Sequence, residues 1–145
     1  MRIIIDADAC PRPVLEICLK VGQESGREVH TVASFNHNVR SEHHTVVGDS
    51  SQETDIYAIN LTERGDIVIT QDYGLAAIAL GRGAFALSPM GKEYTVANIA
   101  FLLEERTLKA KYRRGGGRTP GPKKRTRDDD ERFFIALCRI IGYGQ

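Results

Sequence analysis

Asp66-Ile67-Val68-Ile69-Thr70-Gln71-Asp72-Tyr73-Gly74 is the stretch that decides the fold. The consecutive apolar β-branched residues Ile67, Val68 and Ile69 predict a strand. A polar turn through Gln71, Asp72 and Gly74 leads into a helix carrying Leu75, Ile78 and Ala79 and ending near Gly81. The N-terminus repeats the design. Ile3-Ile4-Ile5 reads as a buried strand and ends in Asp6-Ala7-Asp8. Pro11 and Pro13 are tolerable in a first helical turn. Val14, Ile17, Cys18 and Val21 then fall at i, i+3, i+4 and i+7, one face of a helix that stops near Gly22 or Gly26.

Working outward, residues 29–33 predict a second strand, 37–44 a polar loop and 45–47 a short third strand. Ser50-Ser51-Gln52-Glu53 has capping-box spacing and predicts a helix bearing Ile56, Ile59 and Leu61, closed near Gly65. Residues 84–87 read as a fifth strand. Residues 95–106 read as a helix with Val96, Ile99, Ala100 and Leu103 on one face, and 129–141 as a last helix with Phe133, Phe134, Leu137, Cys138 and Ile141 apolar. Strands alternating with helices predict β-α-β units and a mainly parallel sheet covered on both faces.

The 145 residues fit one domain, and 41% apolar with 27% charged residues suits a globular chain. No apolar run reaches the roughly 20 residues of a membrane-spanning helix. The N-terminal apolar run is too short for a signal peptide, so no membrane association and a cytoplasmic location are expected. Three cysteines without metal-type spacing argue against a disulfide framework or a zinc site. His30, His37, His43 and His44 likewise show no metal-binding spacing and read as surface histidines. As neighbours in a strand, His43 and His44 would point to opposite faces.

The near-neutral total of 20 Lys+Arg against 19 Asp+Glu hides a segregation. Residues 106–127 hold ten cations and no acid, leaving ten cations against 19 acids elsewhere, a net of −9. In an open parallel sheet the strand C-termini and helix N-termini share one edge, where ligands bind. Asp6 and Asp8 follow the first strand, Asp72 follows the fourth, and Asp55 lies about one turn into the helix after the third. Carboxylates gathered there repel one another, and a divalent cation resolves the repulsion. Oxygen ligands without Cys suit Mg²⁺ or Mn²⁺, which can activate water and stabilise an in-line phosphoryl displacement. The chemistry expected is phosphodiester hydrolysis, with Thr70, Gln71 and Ser34 as polar neighbours able to orient a water or phosphate. Each acid also has a structural reading. Asp6 and Asp72 can cap the helices that follow, Asp8 can cap the first helix, and Asp55 can be an ordinary helix acid. Asp128, Asp129, Asp130 and Glu131 suit a helix N-terminus on dipole grounds, and a ligand from that run is the lesser reading. Cys10 lies beside the acids without a partnered base and reads as structural.

The basic stretch suits sequence-independent binding to a phosphate backbone. Arg113, Arg114, Arg118, Lys123, Lys124, Arg125 and Arg127 are its candidate contacts, glycines let it conform, and Tyr112 can stack on a base. A solubilising flexible loop, or one folded back on the acidic remainder, is the alternative.

The stretches 3–11 and 65–76, and Gly121-Pro122 ahead of Phe133, resemble the YaiI/YqxD family of bacterial proteins over essentially the whole chain. That family is grouped with PIN-like domains. The resemblance implies a three-layer α/β/α PIN-like fold over residues 1–145 with an acidic metal site, as in PIN ribonucleases. It matches Asp6 to the acid ending the first strand, Asp72 to the acid after the fourth, and Asp55, more loosely, to the central helix acid. Asp8 has no counterpart in ordinary PIN domains. Tyr73 and Gly74 stand where many PIN-type nucleases carry a further acid. Resemblance and residues together lead to an Mg²⁺- or Mn²⁺-dependent nuclease acting on RNA, in which Asp6, Asp55 and Asp72 hold the metal with Asp8 in support. A homodimer is a state such proteins often adopt. A catalytically inactive nucleic-acid-binding or assembly module on the same fold is the alternative, and a small phosphatase is a third reading.

Overall fold

Ile3, Ile4 and Ile5 are all fully buried, which requires apolar layers on both sides of their strand. The structure, a computed structural model, describes residues 1–34, 43–48, 51–121 and 123–142. In chain order it comprises β1 (Ile3–Asp6), a 3₁₀ turn (Ala7–Ala9), α1 (Arg12–Ser25), β2 (Val29–Ala33), β3 (His43–Val46) and α2 (Ser51–Leu61). β4 (Ile67–Ile69), α3 (Tyr73–Gly81), β5 (Phe85–Leu87), β6 (Glu93–Tyr94), α4 (Val96–Arg114) and α5 (Arg127–Ile141) follow. The sheet order is β3-β2-β1-β4-β5-β6, parallel except for the β5–β6 pair.

Alternation along the strands sorts the core into two layers. Ile3, Ile5, Ile67, Ile69 and Leu87 pack with Val14, Cys18 and Val21 of α1 and with Phe133 and Leu137 of α5. Ile4, Val68 and Ala86 pack with Ala58 of α2, Leu75, Ala76 and Ala79 of α3, and Ile99 and Leu102 of α4. The architecture is α/β with helices on both faces, as expected. From β1 the chain runs outward through β2 and β3, then returns to place β4 on β1's other side. That reversal opens a crevice beyond the C-terminal ends of β1 and β4, where open α/β sheets bind ligands.

Several local expectations change. The third strand starts at His43 rather than Thr45, drawn in by its parallel register on β2 (His30 opposite His43). The rest of the expected 37–44 loop, and the Ser50 cap, lie outside the described residues. In α2 the fully buried residues are Thr54 and Ala58, while Ile56 is 55% exposed. Short side chains there let the helix lie close on β1 and β2. β6, only two residues long, was not anticipated, since so short a run has no periodicity to read. α4 continues two turns past 106, so residues 106–114 are helix rather than flexible arm. Thr95 and Asn98 close a capping box at its start, and Lys111, Arg113 and Arg114 sit at the negative end of its dipole.

Candidate active site

The four carboxylates singled out from the sequence converge. Asp6 ends β1 and is 7% exposed. Its Oδ2 accepts a hydrogen bond from Thr70 Oγ1 at 3.0 Å, and its Oδ1 is buried with no hydrogen-bond partner among the described residues. Burial drives the Asp6 carboxyl above its ordinary pKa, opposed by the Thr70 hydroxyl and the Asp8 backbone amide and reinforced by the charges of Asp8 and Asp72. Asp8 sits in the 3₁₀ turn, where its Oδ1 accepts from the Ser34 amide at 2.8 Å and the Ser34 hydroxyl at 3.0 Å. It therefore does not cap α1, which has Pro11 at that position and no side-chain cap.

Asp72 does cap α3. Its Oδ1 accepts from the amides of Gly74 (2.8 Å) and Leu75 (3.2 Å). The Asp72 amide in turn donates to Thr70 Oγ1 at 3.0 Å, so one threonine hydroxyl links the ends of β1 and β4. Asp55, in the first half of α2, has its carboxyl pushed up to about 7. Burial is the main cause, followed by the charges of Asp6 and Asp72, a hydrogen bond to Asp72, and the charge of Asp8. Residues from β1, the 3₁₀ turn and the β4–α3 turn thus bear on one carboxyl of α2.

The metal-free protein carries a testable consequence. Asp55 titrates near its ordinary value of 3.8 when unfolded and near 7 when folded. Between those values the folded chain holds more protons, so stability falls as pH rises from about 4 to about 7 and then levels. Asp6, also raised, acts in the same direction. Asp55→Asn removes this penalty, so its advantage over the parent grows to about 1–2 kcal/mol by pH 7 after solvent screening. Thermal melts of both proteins across this range check it: a gap that shrinks with pH would exclude a raised Asp55 carboxyl as the cause.

Divalent metal fits these residues. The buried Asp6 oxygen without a hydrogen-bond partner and the raised Asp55 carboxyl both suit a neighbouring cation. The donors are all oxygen. They are spread more widely than one tight shell, since the one metal-type trio with ligand atoms all within 4.8 Å among the described residues lies elsewhere. That spread suits an ion held by a few carboxylates that keeps several waters.

The cations divide. Arg125 is structural: it reaches Asp130 Oδ1 at 2.5 Å and the Pro89 carbonyl at 2.7 Å, with only 18% of its side chain exposed. Arg113 donates to Thr119 Oγ1 at 2.9 Å. Arg114, Arg118, Lys123, Lys124 and Arg127 are exposed, Arg127 as the first residue of α5. Asp129 is absorbed by the α5 capping box with Thr126 and by Arg132, and Asp130 by Arg125, so these two acids of the run are structural. Burial, then Asp6, push the Cys10 thiol up to about 12, so it is no nucleophile.

Sequence reasoning under-weighted Arg106 and Lys109. With Gln71, Tyr73, Leu102, Glu105 and Arg113 they line a groove of about 290 Å³. Arg106 lies over the Tyr73 ring, 5.9 Å from its centroid, and 4.0 Å from Asp72 Oδ1. The signal was the i, i+3, i+7 spacing of 106, 109 and 113, legible only if α4 continues that far.

A twisted parallel sheet with carboxylates gathered at its switch point and a basic groove leading from them defines an α/β protein with a charged, two-sign cleft. The chain belongs to the YaiI/YqxD family: the family model described as "Uncharacterized BCR, YaiI/YqxD family" matches residues 4–143. It is similar to the UPF0178 protein of Heliobacterium modesticaldum, 56% identical over 141 residues that cover 97% of each chain. The UPF0178 protein of Clostridium tetani is 43% identical over 98% of this chain and 97% of its own, and that of Clostridium novyi 46% over 97% and 95%. No solved structure matches this chain. Among the described residues no helix is long and apolar enough to cross a membrane.

Proposed function

We propose that the protein is a PIN-like, Mg²⁺- or Mn²⁺-dependent nuclease that hydrolyses phosphodiester bonds in RNA. The observation that carries this reading is the gathering of carboxylates at the ends of β1 and β4, where burial and then the charges of Asp6, Asp72 and Asp8 push Asp55 up to about 7, and where one oxygen of Asp6 is buried without a hydrogen-bond partner among the described residues. Asp6, Asp55 and Asp72 are the metal ligands, and Asp8, pinned by Ser34, adds negative charge. When bound, the ion supplies hydroxide at neutral pH and neutralises charge on the scissile phosphate. Thr70 is a positioning residue: its hydroxyl orients Asp6 and fixes the turn that presents Asp72.

Arg106, Lys109 and Arg113 line the groove beside Asp72 and give a phosphate backbone a track into the acids. Gln71 also lines that groove and is the candidate to bond the phosphate. The exposed Arg118, Lys123, Lys124 and Arg127 extend the positive surface. Replacing Arg106, Lys109 and Arg113 by Ala is expected to reduce the slope of log affinity against log salt by about 2 for single-stranded RNA, given ~0.7 per phosphate contact. Fluorescence anisotropy over a salt series measures it, and an unchanged slope removes α4 from the interface.

One observation favours the alternative of an inactive RNA-binding module. Arg106 stands 4.0 Å from Asp72 and can serve as a built-in counter-charge. Incubating the purified protein with single-stranded RNA and DNA, with Mn²⁺ or Mg²⁺ and with chelator, separates the readings. Metal-dependent cleavage of RNA supports the nuclease. RNA binding without cleavage under any metal supports the module.

A further inference from the structure

β2 and β3 bring a second set of metal-type side chains together, none of them shared with the carboxylate cluster. His30 on β2 stands opposite His43 on β3 in the parallel register. Their rings stack with centroids 4.6 Å apart and planes 15° off parallel. Glu28, two residues before His30 and so on the same face of the chain, places Oε2 3.1 Å from His30 Nε2. One ligand atom from each of the three lies within 4.8 Å of the other two. His44 takes the opposite face and bonds Thr31 Oγ1 at 2.7 Å, leaving His43 alone beside His30. Arg2, just before β1, bears on Glu28 by its charge and is occupied: its guanidinium bonds Asp66 Oδ2 at 2.8 Å and the Leu61 carbonyl at 2.7 Å.

We propose that Glu28, His30 and His43 form a metal site for a borderline transition-metal ion of the Zn²⁺ class. Two imidazole nitrogens and one carboxylate oxygen suit Zn²⁺, Co²⁺, Ni²⁺ or Cu²⁺ and discriminate against Mg²⁺, which takes oxygen donors. Three protein ligands leave a fourth tetrahedral position to water or a partner's side chain. Ligands around such an ion at ~2.1 Å lie roughly 3.4 Å apart, and three ligand atoms already within 4.8 Å of one another reach that spacing by rotation of exposed side chains. Glu28 and His43 are exposed and free to make that movement. The site is independent of the nuclease reading, because it shares no ligand with Asp6, Asp55 or Asp72.

Zn²⁺ and Co²⁺ titrations test it, followed by calorimetry and by the visible absorption of bound Co²⁺. The parent is expected to take up one Zn²⁺ at this site in the presence of excess Mg²⁺. The paired variant His30→Gln with His43→Ala is expected to lose at least about tenfold in affinity, since even outer-shell changes cost 10–100-fold. The pair Asp6→Asn with Asp72→Asn is expected to keep the site. Zn²⁺ uptake unchanged in the histidine pair, or uptake lost only in the aspartate pair, overturns the proposal. As a check that needs no folded histidine variant, Zn²⁺ added to the parent should shift the imidazole NMR signals of His30 and His43 together. Signals that stay in place overturn it equally.

Discussion

A chain carrying both Asp6→Asn and Asp72→Asn is expected to lose metal-dependent RNA hydrolysis by at least about a hundredfold, and yet to melt at a higher temperature than the parent when no metal is present. Both effects have one cause. The carboxylates are held together against burial and their mutual repulsion, and the raised Asp55 and Asp6 carboxyls record that cost, burial being its larger part. Removing two charges removes the binding energy for a divalent ion, which supplies several kcal/mol of transition-state stabilisation. The same change relieves the folded state. Asparagine keeps the local structure at both positions: its oxygen still accepts from Thr70 at position 6, and at position 72 it caps a helix as well as aspartate does. Thermal melts with and without Mn²⁺, beside the hydrolysis assay, read both parts. The parent should gain stability on adding Mn²⁺ and the variant should not. Hydrolysis unaffected by the substitutions excludes the acids as metal ligands, and a lower metal-free melting temperature excludes repulsion as their defining property.

Gly91→Ala is expected to cost about 3–5 kcal/mol of stability, whereas Gly26→Ala costs only about 1 kcal/mol. Both glycines have positive φ, 84° at Gly91 and 73° at Gly26, so both substitutions strain the backbone. Their surroundings differ. A Cβ at Gly26 meets nothing within 4 Å, while one at Gly91 comes within 2.8 Å of the Arg132 carbonyl carbon and oxygen and 2.9 Å of the Phe133 amide nitrogen. Those are backbone atoms of α5 and cannot rotate aside. The turn holding Gly91 also takes the Arg125 bond at the Pro89 carbonyl, and Ser88 Oγ accepts from the Met90 and Lys92 amides. The glycine therefore sets how closely the β5–β6 turn seats α5, whose Phe133 is fully buried. Denaturant unfolding of both variants measures the contrast. Equal losses would show that conformation alone, and not close approach, governs Gly91.

The elements with strong local signals were legible. Ile3-Ile4-Ile5 and Ile67-Val68-Ile69 are strands because β-branched runs that long have one stable use in a two-sided sheet, and the helices after them start and stop near their prolines, caps and glycines. What failed had no local signal or a misleading one. Ile56 looks like a core residue by type, but the close seat of α2 selects Thr54 and Ala58 instead. The cation-rich 106–114 looks like a solvated arm, yet it continues α4, because cations in a last turn favour a helix. Arg125 looks like one more phosphate contact and is an anchor between the β5–β6 turn and α5.

Alternating strand and helix patterns follow from residue types alone, because burial on one or two faces imposes a period that composition cannot hide. With them came the expectation that acids after strand ends would share an edge. Strand order decided the rest. Placing β4 beside β1 joins Asp6 to Asp72 through one Thr70 hydroxyl, and aligning β3 with β2 sets His43 against His30. Neither pairing has a spacing in the chain that announces it, because contacts across a sheet depend on register between distant segments rather than on distance along the backbone.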